Sequence, residues 1–184
     1  ESPVWQGSTV VKTPEEAEEY VIMYKEMGYD FVKVYEKLTN DVYDSIIKTA
    51  KEQDIPVVGH VPGLVGIEKV LQSGQKSIEH LDNYYDSEDL YDMTVENNVW
   101  NCPTLVVYQV YEKASIKGSL EGKEYINPNT IKYWEEVVGP PEVGLGVNRI
   151  EFNNKKRIVK KLYDKGGKII LGTDTNNPFI LPGF

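Results

Sequence analysis

The chain has 184 residues, 40 % of them hydrophobic and 27 % charged, with a formal net charge of −9. That is long enough for one domain with a real core, and ordinary for a globular protein. The acidic balance and the lack of a basic patch exclude nucleic acid or an anionic membrane as the main partner. No apolar run approaches the roughly 18 residues of a membrane span. The lone cysteine, Cys102, excludes an internal disulfide. No signal peptide is visible, and because the chain starts at Glu1 its natural start is expected upstream.

Helical and strand patterns then alternate. Thr13-Pro14-Glu15-Glu16 reads as a helix start, with Thr as N-cap, Pro at the first helical position and Glu three residues after the cap. Ala17, Tyr20, Val21 and Tyr24 follow at helical spacing, and Gly28 supplies a stop. A strand is expected over 31–35. A helix follows from about 41 to 53, with Val42, Tyr43, Ile46, Ile47 and Ala50 as its buried stripe. Next come a strand over 56–61, a short helix near 67–72, a strand over 76–81 and a helix from Ser87 to about Asn97. Residues 99–108 read as a strand with Pro103 near its start. The stretch 115–147 is rich in Gly, Pro and Asn and reads as an insertion or long loop region carrying one helix near 128–138. A long amphipathic helix near 149–164 stops at Gly166-Gly167, and the last strand is 168–173.

Strand followed by helix, repeated with short connections, predicts an α/β fold with a parallel sheet, doubly wound or closed into a barrel. No glycine-rich phosphate loop follows a strand. Gly144-Leu145-Gly146 precedes a helix but follows no strand, so it is a poor dinucleotide signal.

The chemistry is concentrated at strand ends. The only two histidines close two of the apolar runs: His60 in Val57-Val58-Gly59-His60 and His80 in Ser77-Ile78-Glu79-His80. Lys33 interrupts Phe31-Val32-Lys33-Val34-Tyr35, and Asp174 ends Ile169-Ile170-Leu171-Gly172-Thr173-Asp174. Alternation puts Phe31, Lys33 and Tyr35 on one face of the first strand and Val32 and Val34 on the other. If the valines pack on helices, Lys33 is expected inside a barrel. There an unpartnered ammonium is costly, and a neutral amine can form a Schiff base or add carbon dioxide to give a carbamate. Neutral imidazoles suit zinc, and a carboxylate completes the shell or takes a proton from bound water.

Singly, each residue has a bland reading: an ion-paired lysine, two satisfied core histidines and an aspartate capping its own turn. All four at the carboxyl ends of strands favour a shared metal site. Glu79 points away from His80 by alternation and reads as structural, and Cys102 reads as a small buried hydrophobe. Tyr35, Tyr84 and Tyr108 stand after or at the ends of strands and are candidates for lining a substrate pocket.

Several stretches together resemble the amidohydrolase superfamily, in particular its imidazolonepropionase-like and Xaa-Pro dipeptidase-like members. They are Thr13-Pro14-Glu15-Glu16-Ala17, Gly28-Tyr29-Asp30-Phe31-Val32-Lys33-Val34-Tyr35, Val58-Gly59-His60-Val61-Pro62, Gly74 through Leu81, Pro103-Thr104-Leu105 and Leu171-Gly172-Thr173-Asp174. The resemblance implies a (β/α)8 barrel of the TIM type, of which residues 1–184 cover about strands four to eight. It implies a carboxylated Lys33 bridging two divalent metals, usually zinc. His60 and His80 would bind one ion, and Asp174 would bind the other and shuttle the proton of a metal-activated hydroxide. The expected activity is hydrolysis of amide or peptide-like C–N bonds in a small-molecule or dipeptide-like substrate. A single-metal deaminase, a Schiff-base aldolase built on Lys33 and a non-catalytic protein with a buried polar network are the alternatives. The His-x-His pair that supplies the family's first ligands has no counterpart in this sequence. The chain is therefore expected to be one incomplete catalytic barrel domain, poorly active alone, with unpaired sheet edges open to self-association.

Overall fold

The computed structural model describes residues 7–110, 122–138, 149–175 and 177–181. They form two compact units. The first comprises Glu1–Cys102 with Lys161–Ile170, and the second Pro103–Lys160 with Leu171–Phe184.

In the first unit, strands and helices alternate as α1 (Pro14–Glu26), β1 (Val32–Val34), α2 (Asn40–Glu52), β2 (Val57–Gly59), α3 (Ile67–Ser73), β3 (Ser77–Glu79), α4 (Glu88–Glu96) and β4 (Trp100–Cys102), with β5 (Lys168–Ile169) arriving from the end of the chain. The start of α1 follows from its sequence. The Thr13 hydroxyl accepts from Glu16 N–H at 3.2 Å, Pro14 fills the first turn, and the Glu16 carboxylate accepts from Lys12 N–H at 2.7 Å. Gly28 ends the element in a left-handed conformation, φ +81°.

The strands pair in parallel. β1 and β2 form one sheet, and β3, β4 and β5 form a second. The order runs with the chain, without the reversal that marks a doubly wound sheet. Val32 and Val34 are buried together with Ala17 and Val21 of α1, Val42, Tyr43 and Ile46 of α2, and Val57. The valines therefore face helices, as alternation predicts. Thr49 joins the buried stripe of α2, where Ile47 was expected and is half-buried.

Lys33 takes the face of β1 opposite the valines, as alternation predicts. It is exposed, and so is its face-mate Phe31. The reason is local: the valine side of β1 packs against α1 and α2, while the lysine side is exposed among the described residues. The cost of burying an ammonium, from which a neutral Lys33 was argued, does not arise there.

Strands are also shorter than the sequence suggests. The expected strand over 99–108 stops at Cys102, and residues 105–110 are helical (α5). Pro103 has no N–H to continue the ladder, and Thr104 turns left-handed at φ +44°. Tyr108 thus lies on a helix, and Lys155 Nζ sits 4.3 Å from its ring centroid. The last strand is Lys168–Ile169, prolonged by Ile170 N–H donating to Asn101 O at 2.8 Å.

In the second unit, a 3-10 turn (Lys123–Tyr125) precedes α6 (Pro128–Val138), which matches the helix expected inside the 115–147 stretch. The rest of that stretch, including Gly144-Leu145-Gly146, falls largely outside the described residues. Trp134 of α6 packs edge-on against Phe179, with ring centroids 5.6 Å apart, beside Leu181. The long helix α7 (Arg149–Asp164) is as predicted. No helix among the described residues is long and apolar enough to cross a membrane.

Candidate metal centre

His60 and His80 each occupy the first position after a strand. His60 N–H still bonds Val34 O at 3.0 Å, and His80 N–H bonds Cys102 O at 2.8 Å. Both histidines are thus held at carboxyl ends of neighbouring parallel strands. Their rings lie 4.9 Å apart, centroid to centroid, at 42°.

His60 is 7 % exposed and crowded. The Tyr35 ring stacks on it at 4.8 Å and 23°. Lys33 Nζ sits 5.2 Å from the centroid of that same tyrosine. Lys33, Tyr35, His60 and His80 therefore form a chain of contacts along the strand ends, and of the predicted pocket tyrosines Tyr35 packs directly on a histidine.

Two carboxylates that the sequence reading did not select complete the cluster. Asp82 Oδ2 lies 2.7 Å from His60 Nδ1, and Glu36 Oε1 lies 3.6 Å from the same nitrogen. A carboxylate only accepts, so Nδ1 is the donor in the short contact. The donor atoms of Glu36, His60 and Asp82 all lie within 4.8 Å of one another.

The backbone that brings Asp82 there is strained. His80, Leu81 and Asn83 have φ of +60°, +55° and +59°. Left-handed backbone costs roughly 1–2 kcal/mol per non-glycine residue, so surrounding bonds must hold the turn. Asp82 N–H donates to Glu79 O at 3.2 Å, and Asn83 Nδ2 donates to Val61 O at 3.1 Å. The simple signal in the sequence was proximity: Asp82 stands two residues after His80, and Glu36 follows Tyr35.

The Tyr84 hydroxyl is 3.0 Å from Thr94 Oγ1, and burial pushes its pKa up to about 12. Tyr84 thereby ties α4 to the core. Asp174 belongs to the second unit, with φ +57°. Its backbone carbonyl accepts from Asn177 N–H at 3.3 Å, and its carboxylate accepts from the Asn177 side chain. It therefore closes its own turn. Glu79 accepts from Ser77 Oγ at 2.8 Å, in keeping with its structural reading. Cys102 is half-buried in β4.

No protein-family model and no curated protein matches the sequence. Solved structures do. A bottromycin amidohydrolase matches over 99 % of this chain and 45 % of its own, at 24 % identity and a TM-score of 0.72. The fold is that of the amidohydrolases. Within that fold, a Xaa-Pro dipeptidase with bound methionine in its active site matches over 90 % of this chain and 39 % of its own, at 23 % identity and a TM-score of 0.59. The ochratoxinase of A. niger matches over 92 % of this chain and 36 % of its own, at 19 % identity and a TM-score of 0.64. The chain thus spans less than half the length of each of these amidohydrolase-fold structures.

Proposed function

We propose that this chain is part of the catalytic barrel, about strands four to eight, of a metal-dependent amidohydrolase that cleaves amide or peptide-like C–N bonds in small, dipeptide-like substrates. The observation that carries the reading is the convergence of the chain's only two imidazoles, 4.9 Å apart at the ends of neighbouring strands, with two carboxylates at His60.

The donor set fits a divalent ion of the zinc type, which accepts imidazole nitrogen and carboxylate oxygen. His60 and His80 would hold it, with Lys33 and Asp174 as the partners implied by the resemblance and Asp82 and Glu36 within reach of His60. When bound, such an ion lowers the pKa of its water toward roughly 7 and polarises the scissile carbonyl.

The chain's own groups supply the rest. Asp82 takes the Nδ1 proton's hydrogen bond and fixes the tautomer of His60, and Tyr35 packs its face. Asp174 is the carboxylate assigned to move the proton toward the leaving amine. Lys33, exposed on the face of β1 that also carries Tyr35, is accessible to carbon dioxide.

Specific readings of neighbouring structures support a dipeptide-like substrate: one is a Xaa-Pro dipeptidase, and another is a prolidase complexed with N-methylphosphonate-L-proline. The test is metal content, followed by hydrolysis of Xaa-Pro dipeptides with and without added zinc. Wild type is expected to retain zinc, and His60→Ala and His80→Ala to lose it. Equal zinc content in all three proteins overturns the proposal.

A further inference from the structure

The two histidines stand on different sheets. His60 follows β2 of the first sheet, and His80 follows β3 of the second. Something must fix the seam between β2 and β3 if their rings are to keep one separation. Among the described residues the backbone crosses this seam with Lys76 N–H donating to Val57 O at 2.7 Å. Beyond the strand ends Asp82 and Asn83 reach across to His60 and Val61, and at the strands themselves one buried side chain makes the crossing.

Gln75, 1 % exposed, sits just before β3. Its Nε2 lies 3.2 Å from Gly59 O, 3.2 Å from His60 O and 2.9 Å from Ser77 O. The first two carbonyls belong to the end of β2 and the third to β3. Carbonyls only accept, so the nitrogen must face them and the amide oxygen must face away. That oxygen accepts from the Tyr43 hydroxyl at 2.9 Å. Tyr43 is fully buried in α2, and its oxygen lies 2.8 Å from Ser73 Oγ at the end of α3. Burial pushes the Tyr43 pKa up to about 12, so the phenol stays a donor at ordinary pH.

We infer that Gln75 is a positioning residue for the His60–His80 pair: its amide, oriented by Tyr43, extends the single backbone bond between the two sheets to the ends of the strands and fixes the carbonyl of His60 itself. Gln75 touches neither imidazole. It acts through the peptide that carries one of them. The inference rests on His60 being a ligand for its functional consequence, but its structural content stands without metal.

The readout exploits the histidine count. With only His60 and His80 in the sequence, imidazole proton–nitrogen spectra contain two ring systems, assigned by loss of one set in His60→Ala. In Gln75→Leu, the His60 signals are expected to shift and broaden as the Asp82 contact loosens, and zinc affinity to weaken about tenfold or more. Tyr43→Phe keeps the ring and removes only the hydroxyl that orients the amide. It is expected to move the same signals in the same direction, by less.

Unchanged His60 signals in a folded Gln75→Leu protein overturn the inference. If that variant does not fold, unchanged His60 signals in Tyr43→Phe overturn it. Should His60→Ala bind zinc as tightly as wild type, the metal reading fails, while the metal-free spectra still decide the role of Gln75.

Discussion

Gly59 passes so close to Val34 that a β-carbon placed on it would stand 2.3 Å from the Val34 carbonyl oxygen and 2.9 Å from its nitrogen. Its φ of +125° is also one that side chains rarely adopt. This close approach seats the residue just before His60 against β1. Gly59→Ala is therefore expected to destabilise the protein by more than about 3 kcal/mol, because both contacts are to backbone and cannot rotate away. Urea unfolding measures it. A loss under 1 kcal/mol would show that the strands separate freely at this point.

Asp82 offers a milder test of the same corner. Its carboxylate accepts from a ring nitrogen of a histidine whose side chain is only 9 % exposed. Asp82→Ala leaves that donor without its partner and is expected to cost about 1–3 kcal/mol. Asp82→Asn keeps an accepting oxygen and is expected to recover much of the stability. Comparable unfolding midpoints for Asp82→Ala and wild type would mean that the contact contributes nothing.

Lys33 should behave as a surface residue in stability and as a site residue in chemistry. It is exposed, and its contact is to the Tyr35 ring at 5.2 Å. Lys33→Ala is expected to shift stability by no more than about 0.5 kcal/mol. If the lysine bridges two ions as a carbamate, the same variant lowers the zinc stoichiometry and loses the extra mass of the added carbon dioxide in intact-protein spectra. Unchanged stoichiometry and activity would favour a single ion held without Lys33, as in a deaminase.

Alkali should unfold this protein early, through two phenols. Burial raises Tyr43 and Tyr84 to about 12, whereas an unfolded tyrosine ionises near 10. Below pH 10 both states are neutral and nothing is lost. Between about pH 10 and 12 the unfolded chain releases protons that the folded chain keeps, so stability falls as pH rises. The loss is on the order of 2 kcal/mol per tyrosine by the top of that window. Unfolding midpoints measured from pH 9 to 12 should decline less steeply in Tyr84→Phe than in wild type. Parallel slopes would mean that the phenol ionises without opening the core.

Much of this architecture was readable in advance, and the exceptions have physical causes. Thr13, Pro14 and Glu16 specify a helix start by local bonding alone, so α1 begins where its sequence says. Val32 and Val34 identify their face because alternation is a property of any strand. His60 and His80 were legible for the same reason, each closing an apolar run. Asp82 was not, because its reach to His60 depends on three left-handed residues between 80 and 83, which no residue type there demands. Gln75 was hidden because a buried glutamine is recognised only through the carbonyls it meets, and two of the three come from a different strand. The strand expected through Tyr108 failed at Pro103, where a missing N–H outweighed the apolar pattern beyond it. For Lys33, alternation settles which face it shares with Phe31 and Tyr35, whereas its place inside a barrel depends on closure, which the pattern of one strand does not report.

Zinc should stabilise the fold in proportion to its affinity. An ion that binds the folded chain alone adds RT ln(1 + [L]/Kd), about 2.7 kcal/mol at a free concentration one hundred times Kd. The donors converge only after folding: His60 and Asp82 are 22 residues apart in sequence, and His80 comes from another sheet. Thermal unfolding with graded zinc should therefore rise for wild type and stay flat for His60→Ala. His80→Ala separates the two donor sets. If Glu36, His60 and Asp82 suffice, this variant keeps most of the zinc-dependent rise; if the paired imidazoles are the core of the site, it loses the rise as completely as His60→Ala. A rise of equal size in all three proteins would place the ion elsewhere and remove the chemical basis for hydrolysis at these strand ends.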